Sequence, residues 1–445
     1  MTLNALRADV VASLGGADPE LTPQLDKLVR SADWAGRGIA PSSWVIPSTA
    51  SLLTGLRPWQ TLALCQGRSD LGAELLTLPE ALQAVGYQTH GYYHGHWMDR
   101  DAGYAQGFDS YDLLNDGEEA RDRLAHLKDR RELIFIHMPE PQPPYVRRNW
   151  LLSRLRGLPP DLPNEVRSAE LEKYFSPSVP LPELLHRRFW DLYRLNVAWA
   201  DEKLGRLLDG LRQSGQWDRT LLIVTSTHGE EFREKGQIGN GGNLGRQLIE
   251  VPLIVKLPAG WRRPITAAKG ERVSLTRLWA TLVEAAGGPL PPAVAPSLFT
   301  HTPRPLPALS ELYCGNGTNL FSLVDGDDQL LWESRFAPAE PEYYRARLES
   351  VPGVPPLVPS LREDPDVILG RLETAFSATP PLSGRGPHRL WLEHWTGGSG
   401  SVPVTDARRQ AELATRLEQE WHRFMPRELS PDAEEAARGG SPPSP

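Results

Sequence analysis

The chain has 445 residues, more than a single hydrophobic core usually supports, so we expect one large domain and a smaller one. Hydrophobic residues make up 40% and charged residues 23%, as in ordinary globular proteins. The net charge of -8 gives no support for a nucleic-acid partner, which would need a basic excess. Cys65 and Cys314 are too few for a disulfide framework or a four-cysteine zinc site, and we expect isolated core thiols.

The start of the chain bears on its location. No run approaches the ~18 apolar residues of a membrane span, and nothing at the N-terminus is typical of a signal peptide. These features predict a cytoplasmic protein. Only three residues precede Asn4, however, whereas a buried parallel strand normally has about five. Either the true start lies upstream of Met1, or the first strand of the protein is unusually short.

The first 300 residues or so alternate between strand and helix patterns, which predicts an α/β domain with a mostly parallel sheet. Thr22 and Pro23 are expected to cap and begin a helix. The continuous apolar runs at 133–136 and 221–224 are typical of strands that are covered on both faces. A further strand is expected at 251–255, with its proline at an edge position or at the strand start.

Two features interrupt or follow this alternation. Residues 140–186 are rich in proline and arginine, and this insertion is either a lid, a partner-binding surface or a plain solvated loop. Between it and the run at 221–224, apolar residues recur at spacings of three and four from Tyr193 to Leu211, which predicts a long amphipathic helix.

The C-terminal third has a different pattern. Residues 320–332 predict a β-hairpin around an Asp-Gly turn, and a strand at 388–395 and a helix at about 406–424 complete a small α+β unit. The final residues are polar and rich in Pro, Gly and Ser. The predicted units are an α/β domain at 1–300, an α+β subdomain at 305–425 and a disordered tail at 426–445.

Several short motifs give a family resemblance. They are Leu6-Arg7-Ala8-Asp9, Thr22-Pro23-x-Leu25-Asp26, Pro47-Ser48-x-x-Ser51-Leu52-Leu53-Thr54-Gly55, Gly86-Tyr87-Gln88-Thr89, Gly107-Phe108-Asp109, Thr225-Ser226-x-His228-Gly229 and Val251-Pro252-Leu253. In this order they resemble the sulfatase branch of the alkaline phosphatase superfamily over most of the first 290 residues. The resemblance implies an alkaline-phosphatase-like, mostly parallel sheet flanked by helices, with a smaller C-terminal α+β subdomain.

The resemblance also implies a metal-dependent ester hydrolase, but the reacting groups differ here. Val45 stands two residues before Pro47-Ser48, where the family carries a Cys, Ser or Thr nucleophile. A valine has no lone pair that could attack sulfur or phosphorus. The basic residue expected after Pro-Ser is Thr49, and the His expected in a Pro-His-x-Pro-Tyr segment is Gln142.

The positions that bind the metal in the family also differ here, because uncharged residues replace carboxylates. Asn4 replaces the Asp of the first strand, and Thr227 replaces the Asp that should precede His228. Asn240 stands where a later Gly-His-Gly segment carries its His. Losing two carboxylates should abolish a site tuned for a hard divalent cation. We therefore expect no cofactor, whereas Ca, Mg, Mn or Zn would be required if activity survives.

Other polar residues near these positions have both functional and structural interpretations. The pair in His94-Gly95-His96 would face one way on a strand and could bind a transition metal, but an ordinary strand end explains it as well. Arg7 and Asp9 are expected to brace a turn rather than to bind a ligand. Glu230-Glu231 is expected to be solvated or to cap a helix.

Three hypotheses about function remain at this point. The first is a sulfatase-like pseudoenzyme that acts by binding, with an unknown protein partner or an anionic, glycan-like ligand. The second is an active hydrolase or transferase on sulfuric or phosphoric esters that uses non-standard residues such as Ser43 or His228. The third is a decaying gene product, which the short first strand suggests.

Overall fold

The computed structural model describes residues 1–61, 63–64, 70–115, 117–313, 318–335, 388–396 and 401–423. The two cysteines and the tail at 426–445, for which we predicted core thiols and disorder, lie outside these ranges.

The strands of the described residues fall into a large sheet, a C-terminal sheet and two short ribbons. In chain order they are β1 (Thr2–Asn4), β2 (Trp34–Ile39), β3 (Gln88–Tyr93), β4 (Ser110–Leu113), β5 (Glu132–Pro141), β6 (Tyr145–Val146), β7 (Glu165–Val166), β8 (Leu222–Ser226), β9 (Glu231–Phe232), β10 (Ile238–Gly239), β11 (Glu250–Lys256), β12 (Arg272–Ser274), β13 (Ala308–Tyr313), β14 (Thr318–Asp325), β15 (Asp328–Arg335), β16 (His388–Trp395) and β17 (Ser401–Val404).

The helices of the described residues lie mostly between strands of the large sheet. They are α1 (Pro23–Ser31), α2 (Val45–Thr54), α3 (Pro58–Thr61), α4 (Leu78–Gln83), α5 (Glu118–Ala125), α6 (Asn149–Leu152), α7 (Ser168–Glu172), α8 (Glu183–Gln213), α9 (Arg246–Ile249), α10 (Arg277–Ala285) and α11 (Ala407–Arg423). None of these helices combines the length and the apolar character needed to cross a membrane.

The large sheet has the strand order β12-β2-β11-β8-β1-β5-β3-β4. Only β11 is antiparallel to its neighbours β2 and β8, and the other pairings in the sheet are parallel. The predicted α/β architecture is therefore confirmed. The edge interpretation of Pro252 is wrong, since β11 lies inside the sheet. The missing N–H is tolerated because pairing with β8 begins only at Leu253, one residue later.

Helices cover both faces of this sheet. On one face, Leu3 packs in an apolar cluster with residues of α1 and α8, such as Leu25 and Leu204. On the other face, Val45 of α2 shares a cluster with Phe135 of β5 and Ile249 of α9. The central strands of the sheet are therefore buried on both sides. The carboxyl ends of β1, β5 and β8 meet at one edge, which is where ligands bind in such sheets.

The long helix α8 starts ten residues before the predicted periodic segment and takes in the last residues of the predicted insertion. The rest of the insertion forms β6, α6, β7 and α7. It contacts α8 through a hydrogen bond and a cation–π interaction of Arg148. The guanidinium of Arg148 donates to Asn196 Oδ1 at 2.9 Å and lies 4.6 Å from the ring centre of Trp199. Its role as a lid or a partner-binding surface stays a prediction.

Asp201 of α8 holds the first turn of α1, because its carboxylate accepts the backbone N–H groups of Gln24 and Leu25 at 2.9 and 2.8 Å. Replacing Asp201 with alanine leaves both donors without this partner, and we expect unfolding free energy to fall by about 2 kcal/mol. Urea unfolding measures the loss. Asp209→Ala on the same helix removes an exposed carboxylate and should cost less than about 0.5 kcal/mol. Equal losses in the two variants would contradict this role.

The C-terminal unit is an antiparallel sheet in the order β13-β14-β15-β16-β17, with α11 packed on β14 and β15. The predicted hairpin is confirmed, since Asp325 pairs with Asp328 across a turn in which Gly326 has a φ of 62°. This sheet contacts the loop between β8 and β11. Lys235 forms an ion pair with Glu393, and β13 also bonds to the segment before α2 through Glu311 N and Pro41 O at 2.8 Å.

Candidate functional site

Three of the predicted site positions meet at the carboxyl ends of β1, β5 and β8. Thr227 Oγ1 donates a hydrogen bond to Asn4 Oδ1 at 3.1 Å, and Asn4 Nδ2 donates to Gln142 Oε1. The backbone N–H of Gln142 also donates to the carbonyl oxygen of Asn4 at 3.1 Å. We call this set the Thr227–Asn4–Gln142 network. It joins residues that are more than 80 positions apart in the sequence and contains no charged group.

The network does not fit the divalent cation that the family resemblance implies. The side-chain oxygen of Asn4 accepts the Thr227 hydroxyl, and its NH2 group points to the oxygen of Gln142. A hard cation is bound most strongly by carboxylate oxygens, and neither Asn4 nor Thr227 supplies one. Among the residues that the structure describes, no three His, Cys, Asp or Glu side chains are grouped so as to hold a metal ion.

The former nucleophile position begins helix α2. Val45 is 8% exposed and packs in the apolar cluster that also contains Trp44 and Leu248. Of the neighbouring hydroxyls, Ser48 donates to the carbonyl oxygen of Ser42 at 3.1 Å. The first residue of α2 therefore has an aliphatic side chain, which can neither attack an ester nor bind a cation.

Four buried hydroxyls at this helix, those of Ser42, Ser43, Thr49 and Ser51, have no hydrogen bond to the described residues. Ser43 Oγ lies just before the helix and Thr49 Oγ1 lies in its second turn, and both side chains are fully buried. Ser43 also fixes the loop that carries Asn240, since its carbonyl oxygen accepts the N–H of Gly241 at 3.0 Å. The segment of Val45 and the segment of Asn240 are therefore neighbours, as the resemblance implies.

Asn240 itself donates to Glu230 Oε1 at 3.3 Å, and the hydroxyl of Tyr145 donates to the other carboxyl oxygen at 3.1 Å. Burial raises the pKa of Glu230 to about 8, although its hydrogen bonds and the charge of Arg7 act in the opposite direction. This carboxyl group is therefore mostly protonated at neutral pH.

The prediction that Glu230 and Glu231 are solvated or cap a helix is wrong, because both are fully buried. The loop after β8 folds back on itself, so that the N–H groups of Lys235 and Gln237 donate to Glu231 at 2.8 Å. Asn243 also donates to this carboxylate. These partners lie 4 to 12 residues after Glu231, and it is the fold of this loop that brings them to its carboxylate.

His228 is fully buried beside these residues. Its Nδ1 lies 2.7 Å from the carbonyl oxygen of Gly229, so Nδ1 carries the hydrogen. Its Nε2 has no hydrogen-bond partner among the described residues. Burial lowers the pKa of His228 to about 4, against the opposing effect of that hydrogen bond. The imidazole is therefore neutral at pH 7, with Nε2 as an acceptor.

His137 is a candidate site residue that the sequence analysis missed. It lies on β5, where its Nδ1 is 2.9 Å from Thr2 Oγ1 and its Nε2 has no partner within the described part of the chain. Burial, followed by the charges of His94 and His228, lowers the pKa of His137 to about 3. A titratable residue directly after the apolar run at 133–136 was the available signal.

The proposed strand geometry for His94 and His96 is wrong. β3 ends at Tyr93, Gly95 adopts a φ of 88°, and a single-turn helix begins at His96. His94 Nδ1 instead lies 3.2 Å from the carbonyl oxygen of Leu114. The metal hypothesis required both histidines to lie on one strand, where residues two apart face the same side. That strand geometry is absent at these two residues.

Arg7 and Asp9 brace the turn after β1, as predicted. The guanidinium of Arg7 binds Asp9 through two hydrogen bonds of 2.9 and 2.7 Å and contacts Glu234 at 2.6 Å. It also donates to the carbonyl oxygen of Glu230 at 3.1 Å. Arg7 is 1% exposed, so these bonds fix the turn against the loop after β8.

Comparison with known proteins identifies the family. The profile of the sulfatase family matches residues 4–125 and 112–288, which together span more than half of the chain. The multifunctional alkaline phosphatase superfamily protein PehA of Trinickia caryophylli is 33% identical over 97 residues. That segment is 22% of this chain and only 18% of PehA, so the chain matches less than a fifth of that relative. The chain belongs to the sulfatase family.

Solved structures agree with this fold. The phosphonate monoester hydrolase SpPMH from Silicibacter pomeroyi superposes with a TM-score of 0.60 at 16% identity, covering 96% of both chains. Ps i-CgsB in complex with k-i-k-neocarrahexaose superposes with a TM-score of 0.57 at 14% identity, covering 85% of this chain and 98% of that one. At such low identities these similarities show the architecture and not the activity.

Proposed function

We propose that this chain is a sulfatase-like pseudoenzyme, which lacks metal-dependent ester hydrolysis and acts by binding. The Thr227–Asn4–Gln142 network carries this proposal. Three positions that would serve a metal and an oxyanion instead satisfy one another through neutral hydrogen bonds. Val45 adds a separate barrier, since an aliphatic side chain cannot form a covalent intermediate.

A glycan-like ligand is the candidate that the comparisons favour, because the related fold of Ps i-CgsB was solved with a bound oligosaccharide. An unknown protein partner remains the alternative, with the insertion at 140–186 as its candidate surface. Location in the cytoplasm also stays a proposal from the sequence.

A second candidate function is ester hydrolysis or transfer by non-standard residues. Ser43 is the residue that favours it, because its hydroxyl is buried next to the former nucleophile position and has no hydrogen bond to the described residues. A neutral His228 with an acceptor nitrogen is the base that such a reaction would need. The Ser43 hydroxyl and His228 Nε2 are not hydrogen-bonded to each other, and moving a nucleophile by two residues exceeds the roughly 1 Å that catalytic positioning tolerates.

A turnover assay distinguishes these functions. The purified chain is incubated with aryl sulfate, phosphate monoester, phosphate diester and phosphonate monoester substrates, with Ca, Mg, Mn and Zn added in turn. We expect no hydrolysis above the uncatalysed rate. Turnover that Ser43→Ala or His228→Ala abolishes would contradict the pseudoenzyme proposal and support the second function. Thr415→Ala, an exposed hydroxyl deletion on α11, is the matched control.

A further inference from the structure

A cavity of about 420 Å³ lies at the amino ends of β1, β5 and β8, on the edge of the large sheet opposite to the former site. It is lined by Met1, by residues 132–135 at the start of β5 and by residues 220–223 at the start of β8. A binding site here is separate from the proposed function, which concerns the carboxyl ends of the same strands.

The cavity continues the line of β1 between its two neighbours. Thr2 lies opposite His137, so the pairing of β1 with β5 begins only at that residue. Residues 132–136 of β5 pair with β3 on one side, and no described strand pairs with them on the other. On β8, the pairing with β1 likewise begins at Thr225. Two strands of one sheet therefore form the side walls of the cavity.

The distance between these walls suits one extended chain. Neighbouring strands lie about 4.8 Å apart, so β5 and β8 are separated by roughly 10 Å, which is the width of a single inserted strand. The wall at 132–135 gives room for about four residues, or about 13 Å. Backbone N–H and C=O groups along such walls require hydrogen-bond partners, which another extended backbone supplies and a hydrocarbon chain does not.

The cavity is apolar on both faces of the sheet. On one face it is lined by Leu82 of α4 and Leu282 of α10, two helices that contact α2. On the other face it is lined by Leu124 of α5 and Leu211 of α8, which contact each other's helices. A strand that is covered by apolar side chains on both faces is normally a continuous apolar run. The same composition is therefore expected of a segment that binds here.

The mouth of the cavity is basic. Four of the five charged side chains that line it are exposed cations just before β5 and β8, namely Lys128, Arg130, Arg131 and Arg219. The fifth, Glu132, is paired with Arg123 at 2.8 Å. Asp129 pairs with Arg219 at this surface, which leaves an excess of positive charge. Acidic residues beside the apolar run of a bound segment would complement this charge.

The direction of the bound segment follows from its neighbours. Both β5 and β8 run parallel to β1, and β1 occupies the line from Met1 onward. A parallel segment must therefore end beside Met1, and the carboxyl end of a polypeptide meets this requirement. The amino group of Met1, which donates to the carbonyl oxygen of Ile223 at 2.8 Å, would lie next to that carboxylate.

We infer that this cavity binds the carboxyl-terminal tail of a partner polypeptide as an added strand between β5 and β8. The tail consists of about four consecutive apolar residues, preceded by acidic residues that face the cations at the mouth. Its alternate side chains pack against α4 and α10 on one face and against α5 and α8 on the other.

Fluorescence anisotropy with the full chain tests this inference. The probe is the labelled peptide Asp-Glu-Asp-Ser-Val-Ile-Leu-Val with a free carboxyl end. Its first control carries N-methyl groups on isoleucine and leucine, which removes one N–H towards each wall and keeps the side chains. Its second control has the same residues in reverse order. We expect saturable one-to-one binding of the probe and at least about tenfold weaker binding of both controls.

Two variants locate the binding. Arg130→Glu/Arg131→Glu at the mouth should weaken binding of the probe at least about fivefold, whereas Arg154→Glu/Arg156→Glu, at exposed positions of the insertion, should not. Placing Val-Ile-Leu-Val directly before Met1 supplies the strand within the chain and should abolish binding.

Three results would overturn the inference. The first is that the unmodified chain does not bind the probe. The second is that the N-methylated peptide binds as tightly as the probe, as expected of a merely hydrophobic site. The third is that binding survives the residues placed before Met1, because the probe would then bind elsewhere.

Discussion

The double variant Asn4→Asp/Thr227→Asp is expected to be about 3–5 kcal/mol less stable than the native chain in the absence of metal. The two side chains are now joined by a 3.1 Å hydrogen bond. Two carboxylates at this distance would repel each other in a buried setting, and Gln142 Oε1 would lose the amide donor that Asn4 provides. The variant replaces a satisfied neutral network with two uncompensated charges.

Divalent cations should rescue this variant and leave the native chain unchanged. A cation bound only by the folded variant at 100 times its dissociation constant restores about 2.7 kcal/mol. Urea unfolding with EDTA, Ca or Mn measures both effects. The matched control Asn149→Asp/Thr415→Asp makes the same changes at exposed positions and should alter stability by less than about 1 kcal/mol.

Either of two outcomes would contradict this account. A double variant as stable as the native chain would mean that the Thr227–Asn4–Gln142 network contributes nothing. Stabilisation of the native chain by the same metals would mean that the neutral side chains still bind a cation.

Replacing Glu230 with glutamine should remove much of the pH dependence of stability between about pH 5 and 8. The pKa of Glu230 is raised from 4.5 to about 8 by burial, so the folded chain holds a proton that the unfolded chain releases. The contribution of Glu230 to the free energy of unfolding is fully present below pH 4.5 and is lost as the pH rises through about 8. Because one proton is involved, Glu230 changes the free energy of unfolding by at most about 1.4 kcal/mol per pH unit.

The glutamine variant keeps an uncharged group of similar shape between Tyr145 and Asn240. We expect its free energy of unfolding to fall less than that of the native chain from pH 6 to 8. Glu172→Gln, an exposed glutamate at the end of α7, is the control and should follow the native curve. Parallel curves for native chain and Glu230→Gln would show that Glu230 is ionised throughout this range.

Sequence alone could predict the fold because its motifs follow one another in the order of a known family and its apolar runs match strand and helix periods. The family resemblance also implied that Asn4, Gln142 and Thr227 belong to one former site. That they bond directly to one another could not be predicted. Such bonding depends on side-chain orientation at the ends of β1, β5 and β8.

The errors have a common physical cause, which is long-range contact. Glu230 and Glu231 are ordinary surface residues by composition, and only the folded-back loop after β8 buries them. His137 was overlooked because an apolar run was interpreted as strand packing alone. Pro252 lies inside the sheet because its neighbour β8 pairs only beyond it, which local propensity does not encode.

The metal content of the purified chain tests the central claim most directly. After dialysis against Ca, Mg, Mn and Zn at millimolar concentration and removal of free ions, elemental analysis gives the number of ions per chain. The neutral donor set predicts less than about one ion per ten chains. One tightly held ion per chain, lost on substitution of Asn4 or His228, would contradict the account.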